Sequence, residues 1–125
     1  MTLLDSNILI YATRSEHDAV RDFIDTLRPT PGESAISYVE VLGYHRLTES
    51  DRQYLERLFA SFVIHPITDE VVTQAVRLRQ ARKMDLGDSI VAATALVHRR
   101  TLVTRNTKDF DHIDGLTLHN PFPTG

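Results

Sequence analysis

The sequence predicts an α/β fold, a short and mainly parallel central sheet flanked by helices. Two observations carry that prediction. Brief apolar runs alternate along the chain with longer stretches of helical periodicity. Capping-type and turn-type residues, such as Thr68 and the Pro29, Pro31, Gly32 group, stand where one pattern gives way to the other.

Residues 2–5 read as a buried strand running straight into a helix over 6–12, with Ser6 and Asn7 as helix-starting types. Residues 16–27 form a second helix, with Val20, Phe23, Ile24 and Leu27 at core spacing. The apolar pair Ala35 and Ile36 marks a strand over 34–37, and helical spacing returns over 38–47. Ser50 caps a helix reaching about Ala60, with Tyr54, Leu55, Leu58 and Phe59 on one face. A strand over 62–65 precedes a helix over 69–83 capped by Thr68, and Asp88 opens the helix SIVAATALVH. A strand over 102–104, one turn around 106–110 and a last strand over 116–118 lead to a tail of Pro121, Phe122 and Pro123. Right-handed crossovers place the loops after the strands on one edge of such a sheet, and ligands bind there.

Composition narrows the function classes. The chain has 125 residues, the size expected of a single domain over 1–125, and 42% of them are apolar, enough for a core. There is no cysteine, which excludes disulfides and thiolate chemistry. The apolar start MTLLDSNILIYA is interrupted by Asp5 and Asn7 and lacks a basic flank, so it is not expected to be a signal peptide. No run approaches the ~18 uncharged apolar residues of a membrane span, and a cytoplasmic protein is expected. Net charge is −3, yet Arg77, Arg79, Arg82 and Lys83 cluster, as do Arg99, Arg100, Arg105 and Lys108, while acids such as Asp18, Asp25, Glu33 and Glu49 are spread through the remainder. A basic rim around an acidic pocket suits a polyanion held through its phosphates. Solvated helix faces would give the same pattern.

The predicted sheet edge gathers oxygen donors from distant places. Asp5 ends the first strand, Glu40 lies early in the helix after the second, Asp88 opens a helix before the fourth, and Asn106 and Asp109 follow the fourth. Each has a plain structural role available: Asp88 or Asp5 as a helix cap, Glu40 as a surface acid, Asp109 in a turn. Asp5 and Asp88, however, sit among apolar neighbours (Leu3, Leu4, Ile8, Leu9 and Leu86, Ile90, Val91), unlike solvated acids. Gathered carboxylates also raise one another's pKa unless a cation offsets them. Such hard-oxygen clusters suit Mg²⁺ or Mn²⁺, which serve phosphodiester hydrolysis. His17, His45, His65, His98, His112 and His119 are scattered and read as surface or packing residues.

LLDSNILIYA with Asp5, ISYVEVLGY with Glu40, LGDSIVAATAL with Asp88 and LVTRNTKDF near the end resemble, together and in order, the PIN-domain ribonucleases and within them the VapC-type toxins. The resemblance implies a PIN-like three-layer sandwich and Mg²⁺- or Mn²⁺-dependent cleavage of single-stranded RNA. It also implies a homodimer and a cognate antitoxin protein that covers the site. Asp5, Glu40 and Asp88 match the family acids and would be the metal ligands. Family members often carry an acid where Asn106 stands, so the fourth catalytic position falls either to Asn106, the positional match, or to Asp109. Ser6, Asn7 and Thr104 would be supporting hydrogen-bonders. The missing acid at Asn106 leaves a metal-poor, RNA- or partner-binding module as the alternative. A phosphotransfer domain fits less well, because Asp5 is the only early strand-end acid and Lys108 lies in a turn. Leu42, Tyr44, Leu55, Leu58 and Phe59 offer a dimer face or, better, an internal core.

Overall fold

In the computed structural model, which describes residues 1–122, five short strands form one sheet. They are β1 (Thr2–Leu4), β2 (Gly32–Ser34), β3 (Val63–His65), β4 (Thr101–Val103) and β5 (Leu118–His119), in the order β3-β2-β1-β4-β5, and every pairing is parallel. Six helices flank it: α1 (Ser6–Ala12), α2 (Asp18–Thr26), α3 (Ala35–Leu42), α4 (Glu49–Ser61), α5 (Asp69–Ala81) and α6 (Leu86–Val97). Pro123 of the predicted tail lies outside the described residues.

The register explains the layers. Leu3 pairs with Leu102 and Leu4 with Val103, and successive strand residues point to opposite faces. Leu4 and Val103 face a core built with Ile8, Leu9, Val41, Leu55 and Phe59 from α1, α3 and α4. Leu3 and Leu102 face the other way, onto Val91, Ala92 and Ala95 of α6 and onto Phe110. Beyond α6, Ala93 meets Val71 and Ala75 of α5. The small residues of α6 let it lie close to the sheet and to α5 at once. With both faces covered, the central strands β1 and β4 bury apolar residues on both sides rather than alternating, as parallel sheets require.

Several boundaries differ from the sequence reading for local reasons. The second strand ends at Ser34, whose extended backbone and hydroxyl cap α3 by accepting from the Ile36 N–H at 3.2 Å. Ala35 and Ile36 are therefore the first turn of α3 and not a strand. That helix stops at Leu42, ahead of Gly43, rather than at Leu47. Thr48, not Ser50, caps α4, accepting from the Asp51 N–H at 3.1 Å. Thr68 caps α5 as read, accepting from Val71 N–H, although α5 ends at Ala81. The helix over 16–27 is split into a 3₁₀ turn (Ser15–His17) and α2. α6 starts at Leu86, which places Asp88 inside its first turn rather than at its start. The last strand is Leu118–His119 rather than 116–118. Leu55 and Phe59 are buried, with Leu42 and Leu58 packed on them, so the internal reading of that face holds.

A polar group is buried on the α6 side of the sheet. The His65 and His98 rings stack with centroids 3.8 Å apart, and Arg100 donates to the Thr2 carbonyl at 3.1 Å. Position 32 is tight for any side chain: a Cβ there would lie 3.0 Å from His65 Nε2 and 3.1 Å from Arg100 Nε, so these side chains would have to give way. Burial first, then His98 and Arg100, push the His65 pKa down from 6.5 to about 4. The unfolded chain therefore takes up a proton that the folded chain refuses. His65 should subtract nothing from stability above pH 6.5, a growing amount as pH falls towards 4, and no more below that. Urea midpoints of wild type and His65→Gln across this range check it: the difference between the two proteins should shift in favour of the variant as pH falls.

Candidate active site

The pairing of β1 with β4 creates the centre of the site. Because Leu4 faces Val103 in register, the next residues, Asp5 and Thr104, emerge side by side at the carboxyl edge. The Asp5 N–H donates to the Val103 carbonyl at 2.9 Å, and Thr104 Oγ1 donates to Asp5 Oδ2 at 2.9 Å. Thr104 Oγ1 in turn accepts from the Asn106 N–H at 3.1 Å. Asp5 is buried, and burial is the main cause of its raised pKa. The Thr104 hydroxyl and the Ser6 N–H pull it down, while Glu40 and Asp109 add to the rise.

Glu40 reaches the same edge from α3. Its Oε1 lies 2.7 Å from Ser6 Oγ, which lies 2.8 Å from Ser37 Oγ. A carboxylate only accepts and a hydroxyl has one proton, so Ser6 donates to Glu40 and Ser37 donates to Ser6. The other side of the Glu40 carboxylate rests on the backbone of Gly87 in α6. A Cβ at that glycine would meet Glu40 Oε2 at 2.5 Å. The glycine before Asp88 thus lets two helices bring their acids together.

Asp88 is half-buried, and its pKa is pushed up to about 7, by burial first and then by Asp5, Asp109, Asp85 and Glu40. Asp109, on the 3₁₀ turn Thr107–Asp109, acts on both Asp5 and Asp88. Asn106 is exposed and enters the network through its backbone N–H. Asn7 is exposed as well. Arg82, Lys83, Lys108 and His112 line a cleft of about 260 Å³ together with Asp85, Asp88 and Asp109. The remaining basic residues divide. Arg77 and Arg99 line a separate groove with Asp69 and Glu70, Arg79 donates to the Met84 carbonyl, and Arg100 is buried.

One acid escaped the sequence reading. Glu33, taken there as one of the dispersed acids, is fully buried in β2, and its carboxyl oxygens have no hydrogen-bond partner among the described residues. Burial, then the charge of Asp5, push its pKa well up. No local signal marks it, because its burial follows from the sheet order, which puts β2 between β1 and β3.

The donor set suits a hard divalent cation: every candidate ligand is a carboxylate oxygen, and the group is poor at holding its own negative charge. Among the described residues, no three acidic or imidazole side chains converge into a ready ligand shell. Gly87→Ala should displace the Glu40 carboxylate while leaving an α6 backbone that alanine tolerates. Mn²⁺ affinity by titration calorimetry is expected to fall about tenfold or more, with the thermal midpoint unchanged or raised.

The PIN domain family model matches residues 2–116. Ribonuclease VapC10 of Mycobacterium tuberculosis is 35% identical over 124 residues, spanning 93% of this chain and 90% of that protein. A chain of a toxin–antitoxin complex from Klebsiella pneumoniae has a TM-score of 0.81 at 33% identity, with 98% of each chain covered. The DNA-bound VapBC of Salmonella typhimurium shares the fold, with a TM-score of 0.82 at 16% identity, covering 98% of this chain and 100% of that one. The matched span takes in Asp5, Glu40, Asp88, Thr104, Asn106 and Asp109, and the chain belongs to the PIN domain family.

Proposed function

We propose that the chain is a divalent-metal-dependent endoribonuclease, the toxin of a VapBC-type toxin–antitoxin pair, which cleaves single-stranded RNA by phosphodiester hydrolysis. The observation that carries this reading is that Thr104 and Ser6 orient Asp5 and Glu40 at one sheet edge, with Asp88 next to Gly87, against which the Glu40 carboxylate lies, in the first turn of α6. The relationship to a ribonuclease and to a chain of a toxin–antitoxin complex supports it.

Asp5, Glu40 and Asp88 would hold the metal, with Mg²⁺ as the natural ion and Mn²⁺ as a substitute. When bound, the ion would lower the pKa of an attacking water and offset charge on the phosphate and leaving oxygen. Thr104 fixes the orientation of Asp5, and the Ser37–Ser6 hydroxyl chain fixes Glu40. Asp109 rather than Asn106 serves as the fourth acid, because its charge bears on both Asp5 and Asp88. Asn106 acts through its backbone, and Asn7 stands at the exposed mouth. Arg82, Lys83 and Lys108 hold RNA phosphates beside the carboxylates.

The partners follow from the same reading: an RNA substrate, an antitoxin protein and a second copy of the chain. Val39, Leu86, Val72 and Val76, exposed on the packed helices α3, α6 and α5, supply apolar surface for a homodimer. No helix among the described residues is long and apolar enough to cross a membrane, and we place the protein in the cytoplasm.

Purified protein incubated with total cellular RNA should yield discrete products with Mg²⁺ or Mn²⁺, none with EDTA, and none from Asp5→Asn. RNA left equally intact by wild type and Asp5→Asn would instead support a binding module. On the same substrate Asp109→Asn should lose about 10- to 100-fold in rate, whereas Asn106→Ala should lose much less. The reverse order would return the fourth position to Asn106.

A further inference from the structure

Arg105 stands between Thr104, which holds Asp5, and Asn106, yet nothing in the site described so far uses its side chain. Its guanidinium carbon lies 4.2 Å from the ring centroid of Phe122 and 5.3 Å from that of Tyr11. These rings and His17 form a mutually edge-on triangle, with centroids 5.2 to 5.3 Å apart. The triangle draws on the last turn of α1, the 3₁₀ turn after it and the segment beyond β5. Phe122 is itself pinned, its N–H donating to Asn120 Oδ1 at 2.9 Å. Two distant parts of the chain, the end of α1 with the turn after it and the segment beyond β5, thus support one guanidinium.

Among the described residues, nothing pairs with the working edge of that group. Other arginines spend their donors inside the protein: Arg52 on Glu49 and Glu56, Arg21 on the Ala12 carbonyl, Arg100 on the Thr2 carbonyl. Among the described residues, Arg105 has neither an ion pair nor a side-chain hydrogen bond. Ring contacts engage the face of a guanidinium, and its N–H fork remains available for an oxyanion. Its neighbourhood restricts which oxyanion. Phe122 packs on the α1–α4 side of the sheet, whereas the cleft with Lys83, Lys108 and Asp88 opens beside Met84 on the α6 side. The carboxylates at the strand ends lie between the two. A polyanionic strand crossing the sheet edge would meet the Lys108 cleft, then the carboxylates, then Arg105.

We propose that Arg105 is a substrate-positioning residue, presented by Tyr11 and Phe122 to grip an RNA phosphate adjacent to the one that is cleaved. The assignment rests on the ribonuclease reading above. It deepens that reading by giving the strand a direction across the site, from one face of the sheet to the other.

The test measures binding and turnover separately. Binding of a short fluorescein-labelled oligouridylate is followed by anisotropy over a salt series, in the uncleaving Asp5→Asn background. Arg105→Gln should weaken binding about tenfold, as loss of a charge-assisted pair does. It should also flatten the slope of log K against log salt by about 0.7, the signature of one phosphate contact on a single strand. Arg105→Lys should keep the slope and recover only part of the affinity, because the charge remains and the fork is lost. In the cleaving protein Arg105→Gln should raise KM far more than it lowers kcat. Arg52→Gln, on α4, is the control and should leave slope and KM unchanged. An unaltered slope with Arg105→Gln, in a protein that still binds RNA, would overturn the proposal alone. So would an effect confined to binding of a protein partner. Failure of the Arg105-intact protein to bind or cleave RNA would overturn the ribonuclease reading with it.

Discussion

The site depends on one piece of strand register. Parallel pairing of β1 with β4 sets Leu4 against Val103, and the next residue on each strand, Asp5 and Thr104, must then leave the sheet as neighbours. One hydroxyl–carboxylate hydrogen bond joins them, and a backbone hydrogen bond from Asp5 to Val103 locks the register at that point. A slip by one residue would turn Leu4 away from its core and take Asp5 from Thr104 together. The apolar packing that holds the fold and the geometry that holds the carboxylate are therefore not separable.

Around that pair the fold assembles charge that it does not itself neutralise. Asp5 and Glu33 are buried, Asp88 is half-buried, and each has its ionised form disfavoured by burial before any neighbour acts. Native interiors ordinarily pair or exclude such groups. Here hydroxyls do the local work, with Thr104 serving Asp5 and the Ser37–Ser6 chain serving Glu40, and these neutral donors orient without cancelling charge. The outcome is a pocket oriented but unsatisfied, the expected condition of a site whose remaining partner is a ligand.

Two glycines show how closely the scaffold is fitted around this arrangement. Gly87 lets α6 approach the Glu40 carboxylate, and Gly32 lets β2 pass beneath the buried His65 and Arg100. Both act by omitting a side chain where another group needs the space. α6 serves two purposes in the same way: its alanines admit it between the sheet and α5, and its first turn delivers Asp88 to the edge.

Much of the plan is legible along the chain. Short apolar runs and capped amphipathic stretches mark the strands and helices, and the apolar flanks of Asp5 and Asp88 distinguish them from solvated acids. Local pattern encodes what kind of element forms and which face it buries. It does not encode where a side chain ends up relative to residues a hundred positions away. Ala35 and Ile36 read equally as strand or as first helical turn until Ser34 caps them. Glu33 looks like any dispersed acid until the strand order places β2 between β1 and β3. The electrostatic reach of Asp109 depends on how its turn packs, and the ring platform under Arg105 exists only once two distant parts of the chain meet. Those placements belong to the tertiary structure, because register and packing act between residues whose sequence separation leaves no local trace.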